Sequence, residues 1–541
     1  MDNQHKTYSK TIKQLKSNAT KGNLLSMFQL YENYKSGKHV EAVNEELAQT
    51  YFDMILEHLP SSVFSIKSIN LHEFRRFRDL NIQFDKQMTV IIGDNGAGKT
   101  SIAESLSKLL SWFNQNLIKS NVNAKKIVES DINIVAKNYS ELIGQFHLGD
   151  KTPLKLSLAT PVSGYSGNIS GDVAKSKQMG DMYRSVADKK NIELPLFAFY
   201  SVERSSVTLP KSSSDKTFLD VANSRFNALK DSLDASTQLE EFSRRYIELF
   251  NLAEGEETQE IKESRMTINS LNKLIEKFHE GKEPPAESEL VIELKAENDK
   301  LNKLLDNKSR IHSKQLERVN YAIETLVPDV RDLRVDRSKG NQRLLVENFG
   351  NVVNISQLSQ GQKSLVALTG DLALRLVTLN PNLENSLSGH GIVIIDEIEL
   401  HLHPKWQQQI MLGLQETFPN IQFIVTTHSP QVLSTVDKNC IRQISFDDNS
   451  ELTVSTPVFQ TKGVTSADIL ARIMETNSTP ENIKEAAWLN DFSRYLQSGD
   501  TASLEDVFIK IKNHYGSVHP VVVECESQVR IFEMKSRLKR D

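Results

Sequence analysis

Cysteine is nearly absent, with Cys440 and Cys525 the two thiols in 541 residues. Two cysteines cannot build a disulfide framework or a four-thiolate zinc site, and such sparing use fits a reducing, cytoplasmic setting. Long apolar runs are missing as well. Stretches such as Gly391 to Ile395 and Phe423 to Val425 fall far below the roughly 18 residues that suggest a bilayer span. No membrane association is therefore expected. The opening Met1-Asp2-Asn3-Gln4-His5 has no apolar stretch behind a basic start, so no secretory signal is expected either. Excess positive charge is lacking too: 65 Lys and Arg against 70 Asp and Glu give a formal net charge of -5. Global attraction for nucleic acid is thereby excluded, and contact with it is expected through a local patch or through partners. What is present, 38% hydrophobic and 25% charged residues, is the balance of a folded globular chain with room for more than one core.

Patterning divides the chain into five expected segments. Residues 1–60 are polar and helical, with apolar residues at helical spacing around Gly22 and Gly37, similar to one Sel1-like or tetratricopeptide-like helix pair. One repeat cannot bury its own face, so the pair is expected to pack on the rest of the chain or on another chain. Residues 61–213 open with alternation at Phe64, Ile66, Ile69, Leu71, Leu80, Ile82 and Phe84, the mark of half-buried strands. Further strands are expected around Ile134 and over Phe146 to Leu158, and a surface loop over Ser163 to Gly180. Residues 214–335 read as a helical insertion turning at Gly281 to Pro285. Its arms of about 25 residues would reach roughly 40 Å at 1.5 Å per residue. No Cys-x-x-Cys stands at the turn, which excludes a zinc hook. Residues 336–475 return to strands and helices, and 476–541 form a helical end.

The strongest local signal is Gly93-Asp94-Asn95-Gly96-Ala97-Gly98-Lys99-Thr100-Ser101, set between the buried strand Met88 to Ile92 and a helix over 102–118. Glycines let the backbone turn its N-H groups toward phosphate oxygens, and the helix start adds a favourable dipole. Lys99 is placed for the β- and γ-phosphates of ATP, and the Thr100 hydroxyl for Mg2+. A second buried strand, Gly391 to Ile395, ends in Asp396 and Glu397. Asp396 suits Mg2+ and Glu397 suits activation of the attacking water, both where open α/β sheets bind ligands.

Between these two motifs stands Leu358-Ser359-Gln360-Gly361-Gln362-Lys363, just before a long helix. In this the sequence resembles the ABC-type ATPases of the structural-maintenance-of-chromosomes and RecF group, with Gln360 where their signature usually has glycine. The resemblance implies an α/β fold: an ABC-type P-loop ATPase head with a short helical-hairpin insertion and helical N- and C-terminal additions. It also implies that Ser359, Gly361 and Gln362 address the nucleotide bound to a second subunit. His428, after the strand Phe423 to Val425, matches the switch histidine of the group. Glu399-Leu400-His401-Leu402-His403-Pro404 occupies the D-loop place and resembles the OLD-like branch. Its two histidines invite a metal reading that needs further ligands. Gln145 is a positional candidate for the Q-loop. Arg75, Arg76 and Arg78 suit either nucleotide contact, with Arg75 preferred, or a solvated basic turn.

Leu194 to Arg204, with Tyr200 near its end, and the closing Tyr515-Gly516-Ser517-Val518-His519-Pro520 are similar to the PtuA ATPases of Septu antiphage systems and their retron-encoded relatives. That resemblance implies a homodimer or higher oligomer and a PtuB-like HNH nuclease partner. It also implies possible restraint by a retron reverse transcriptase with its RNA and DNA. Two alternatives stay open. One is an OLD-like ATPase-nuclease, since Val521 to Ser527 looks like the opening strand of a Toprim domain. The other is a RecF-like or chromosome-type ATPase of DNA repair.

Overall fold

The computed structural model describes residues 2–187, 189–202, 225–234, 239–254, 259–279, 288–338, 340, 342–447, 450–476 and 483–538. Arg204 and the turn at Gly281 to Pro285 lie outside them. The chain forms two compact units, Met1–Gly463 and Val464–Asp541.

The first unit begins with helices α1 (Asp2–Thr20), α2 (Leu24–Ser36) and α3 (Glu45–His58). Asn23 and Asn44 cap α2 and α3 by accepting the Ser26 and Leu47 amides, which satisfies otherwise orphaned donors. The Phe28, Tyr31 and Phe52 rings close the α2–α3 face. Asn23 and Leu24 then bond Lys151 O and Thr152 Oγ1. These bonds tie the start of α2 to the turn before Thr152 in the same unit.

Strands β1 (Phe64–Phe74), β2 (Phe77–Gln83), β4 (Tyr139–Leu148) and β5 (Thr152–Pro161) make an antiparallel sheet in the order β2-β1-β4-β5. The second sheet has the order β13-β12-β3-β11-β10-β6. Its members are β3 (Met88–Gly93), β6 (Leu196–Tyr200), β10 (Gly391–Ile395), β11 (Ile421–Thr426), β12 (Ile441–Phe446) and β13 (Leu452–Ser455). All its pairings are parallel except β12 with β13. The central strands are apolar and buried because neighbours cover both faces, as parallel sheets require. Helix α4 (Lys99–Ile118) runs between the two sheets. Its Phe113 packs against Phe64 of β1, Phe146 of β4 and Phe197 of β6, at 5.0, 4.9 and 6.3 Å between ring centroids. Burial of one such ring contributes about 1.5–3 kcal/mol. The helix that carries Lys99 and Thr100 is therefore held rigidly.

Two strand and loop expectations change. Ile134 lies in a turn and is 98% exposed, with a single β-bridge nearby at Ile132. The expected loop over 163–180 gives way to helix α5 (Ala174–Ala187). Met179, Met182, Tyr183 and Val186 bury one of its faces, a periodicity that begins inside the Gly/Ser-rich window and continues beyond it.

The insertion contains α6 (Leu239–Ala253), α7 (Gln259–His279) and α8 (Glu289–Leu326). At 38 residues, α8 is longer than the expected arm and spans about 57 Å at 1.5 Å per residue. Its N-terminal half pairs with α7 through Ser264 and Glu297. The other half buries Val319, Ala322, Ile323 and Leu326 in the head, so one helix serves both hairpin and core. A small sheet follows, β7 (Val330–Asp336), β8 (Arg343–Asn348) and β9 (Asn351–Asn354), then α9 (Gln360–Leu379). Helices α10 (Pro404–Thr417) and α11 (Pro430–Leu433) complete the first unit.

The second unit holds α12 (Ser466–Arg472), α13 (Lys484–Ser498), α14 (Thr501–Tyr515) and α15 (Pro520–Leu538). Phe492, Leu504, Val507, Ile511, Val522 and Cys525 form its core. Val521 to Ser527 lies in α15, not in a strand, which removes the feature that suggested a Toprim opening. No helix among the described residues is long and apolar enough to cross a membrane.

Candidate nucleotide site

Strand β3 ends at Gly93 and the chain turns through Asp94, Asn95, Gly96, Ala97 and Gly98 into α4. Asn95 and Gly96 are exposed at the crest, whereas Ala97 is buried. Gly98 has φ +94, and a Cβ there would collide with the Phe77 ring. Only glycine fits that left-handed, crowded position. No side chain caps α4, so its first N-H groups stay available for an anion. The capped starts of α2, α3 and α9 differ in this respect.

Lys99 is 6% exposed, and its Nζ donates to Gly93 O and Asp94 O at 2.8 and 2.9 Å. Burial lowers its pKa from the ordinary lysine value, while Asp396, Glu397, Asp94 and Glu399 pull the other way. Thr100 Oγ1 donates to Asp396 Oδ2 at 2.8 Å, joining two motifs 296 residues apart. This hydroxyl and carboxylate are hard oxygen donors converging on one point, a set that fits Mg2+.

Asp396 is fully buried. Its other oxygen accepts from Thr426 Oγ1 at 2.5 Å, and the same hydroxyl accepts the Glu397 amide at 2.8 Å. Glu397 follows at φ +48, a conformation that costs a non-glycine residue about 1–3 kcal/mol. The bend turns its side chain out of the strand direction at the C-terminal edge of the sheet. Glu399 accepts from Thr427 Oγ1 at 2.8 Å and from the His428 amide at 2.5 Å, which fixes the turn carrying His428. Burial lowers the His428 pKa below the usual histidine value and Lys99 lowers it further, against Glu399, Glu397 and Asp396. Asp396, Glu397 and Glu399 thus act on both Lys99 and His428, and Asp94 acts on Lys99 as well.

The P-loop, both acids and His428 come together. The signature segment makes bonds of its own. Ser359 is exposed and caps α9, exchanging bonds with Gln362 in a capping box. Gln362 is buried, and its amide also donates to Pro328 O at 3.2 Å. Gly361 is packed so closely that a Cβ would lie 2.5 Å from His401 O. The bonds of Ser359 and those of the P-loop share no residue.

Arg75 is tied to Asp131, to Glu104 and to Ser101 Oγ, the last at 3.3 Å. It braces the start of α4 and has its guanidinium filled by carboxylates. Arg76 instead reaches the crest, with Nη1 3.3 Å from where a Gly96 Cβ would stand. Gln145 lies in mid-strand opposite Ser68 and Lys155, exposed and outside the bonds that build the site. His403 caps α10 by accepting the Lys405 amide, and no cluster of metal-ligating side chains occurs among the described residues.

Tyr200 borders the site through its backbone, its carbonyl accepting the Asp396 amide at 2.8 Å. Its hydroxyl donates to buried Asp371 of α9 at 2.9 Å. Asp371 also pairs with Arg375 and with Arg245 of α6, at 2.7 and 3.2 Å. Thr426 and this ionic cluster escaped sequence reasoning. Threonine after an apolar run reads as strand, and a charged residue in a helix reads as surface.

A protein-family model described as "AAA ATPase domain" matches residues 65–433. The chain is 32% identical over 479 residues to "Retron Vc95 probable ATPase" of Vibrio cholerae serotype O1 biovar El Tor, covering 87% of this chain and 90% of the relative. It is 27% identical over 547 residues to "Retron Ec83 probable ATPase" of Escherichia coli, covering 96% and 97%. With "Septu protein PtuA" of Bacillus thuringiensis it shares 22% identity over 451 residues, covering 82% and 91%. With a P-loop, a helix-capping serine and a buried aspartate following one another along the chain, the chain belongs to the AAA ATPase domain family, as an ABC-type ATPase of the retron and Septu defence type.

Proposed function

We propose that the chain binds and hydrolyses ATP as one subunit of an antiphage complex, pairing ATPase faces around two ATP molecules and controlling a partner HNH nuclease. The observation that carries the ATP reading is the 2.8 Å bond between Thr100 and Asp396 beside Lys99. In this reading Lys99 and the α4 amides hold the β- and γ-phosphates, and Glu397 orients and polarises the attacking water. His428 faces the γ-phosphate. Mg2+, held by Thr100 and Asp396, neutralises charge on the β- and γ-phosphate oxygens when bound. Exposed Ser359, with the start of α9, serves the nucleotide of a second subunit.

Likeness to retron and Septu ATPases supports the defence role, a PtuB-like nuclease and restraint by a reverse transcriptase with its DNA. Two experiments test this reading. Specific ATPase activity should rise with protein concentration in the dilute range, because each site needs two chains; a constant specific activity argues against pairing. Copurification with the products of neighbouring genes should yield an HNH protein, and its absence from an otherwise intact assembly removes the nuclease assignment.

A further inference from the structure

We propose that Arg76 and Phe446 form the platform on which the nucleoside half of the bound nucleotide stacks; this rests on the ATP reading above. Strand β12 lies beside β3 with Ile444 opposite Gly93. A Cβ at Gly93 would stand 2.6 Å from Ile444 O, so the end of β12 touches the beginning of the phosphate loop. Two residues on, Phe446 closes β12 with 51% of its surface exposed. From the β1–β2 turn, the Arg76 guanidinium comes to 5.4 Å from the centre of the Phe446 ring. Its Nη1 meanwhile reaches over Gly96. The salt bridge from Arg78 to Glu451, 2.8 Å, ties the same turn region to the β12–β13 hairpin.

The three neighbouring arginines are used differently. Arg75 is held by Asp131, Glu104 and Ser101, and Arg78 pairs with Glu451. Arg76 forms no ion pair or hydrogen bond among the described residues and keeps its aromatic contact. A guanidinium is planar and weakly hydrated. It rests one face on an aromatic ring, offers the other to a second π-system, and retains N-H groups at its edge for phosphate. A nucleotide whose terminal phosphates lie in the loop carries its base out of the loop's mouth, where this stack stands. Every nucleobase has a π-face, so the platform favours nucleoside triphosphates over bare polyphosphate and discriminates weakly among bases.

The test is equilibrium binding of Mg-ATP and Mg-tripolyphosphate to the full chain and its variants. Phe446→Ala is expected to weaken ATP roughly tenfold and leave tripolyphosphate unchanged, the latter also reporting an intact loop. Phe446→Trp should restore ATP binding, with indole emission quenched by ATP but not by tripolyphosphate. Undiminished ATP affinity in Phe446→Ala, or parallel loss of both ligands, overturns the platform. Wild-type protein that binds neither ligand overturns the ATP reading itself.

Discussion

Thr426 Oγ1 lies 2.5 Å from Asp396 Oδ1 and 2.8 Å from the Glu397 amide, so one hydroxyl on β11 orients both acids that end β10. Supporting partners of this kind typically change metal affinity or activity 10–100-fold. Thr426→Val, which keeps the shape, should lower steady-state ATP turnover by about that factor. Thr426→Ser should recover most of it. Equal activity in the valine variant would show that Asp396 is held sufficiently by Thr100 and its backbone.

Glu397 makes its own prediction. Its positive φ directs the carboxylate away from the strand, while Asp396 stays buried between two hydroxyls. Glu397→Gln should therefore retain nucleotide while losing about 100- to 10,000-fold in hydrolysis, the usual range for a general base. Binding and single-turnover measurements on the same sample separate the two effects. Loss of binding with unchanged turnover of the bound fraction would move Glu397 from chemistry to recognition.

Signals held in a few consecutive residues were readable from the sequence, and those made across space were not. Gly98, Lys99 and Thr100 are dictated by local backbone geometry, so spacing alone locates them. Thr426 acts on a residue 30 positions away, and nothing in Phe423-Ile424-Val425-Thr426 distinguishes it from an ordinary strand threonine. Arg75 and Arg76 are adjacent, yet φ +51 at Arg75 sends one toward Asp131 and the other over Gly96, a choice that composition cannot express. Val521, Val522 and Val523 favour a strand by propensity. Pro520 at a helix start, with Val522 and Cys525 buried in the core, overrides that preference.

Acid should act on the cluster around Asp371. Burial pushes this carboxyl up, but Arg375, Arg245 and the Tyr200 hydroxyl more than reverse the effect, leaving its pKa below the usual aspartate value. Between the folded and unfolded values the unfolded chain binds more protons. The stabilisation is therefore complete above the unfolded value and is lost as pH falls through the folded one. Asp371→Ala leaves Arg375 and Arg245 buried without their carboxylate and should cost roughly 3–5 kcal/mol in urea denaturation at neutral pH. Asp371→Asn should flatten the acid limb of stability against pH. An unchanged acid limb would assign that limb to other carboxylates, Asp131 with Lys108 and Arg75 foremost.

Service of one nucleotide by Lys99 of one chain and Ser359 of another, as proposed, gives the sharpest test of pairing. Lys99→Ala removes the phosphate grip of a chain's own site, and Ser359→Arg blocks only what that chain offers to its partner. Each variant alone should be nearly inactive. Mixed in equal amounts and allowed to exchange, they form pairs in which one interface joins an intact Lys99 to an intact Ser359, while the other carries both substitutions. Random pairing makes about half the pairs mixed, each with one good site of two, so roughly a quarter of wild-type turnover should return. No return of activity, with exchange verified by differently tagged chains, would mean that Lys99 and Ser359 do not serve a common nucleotide.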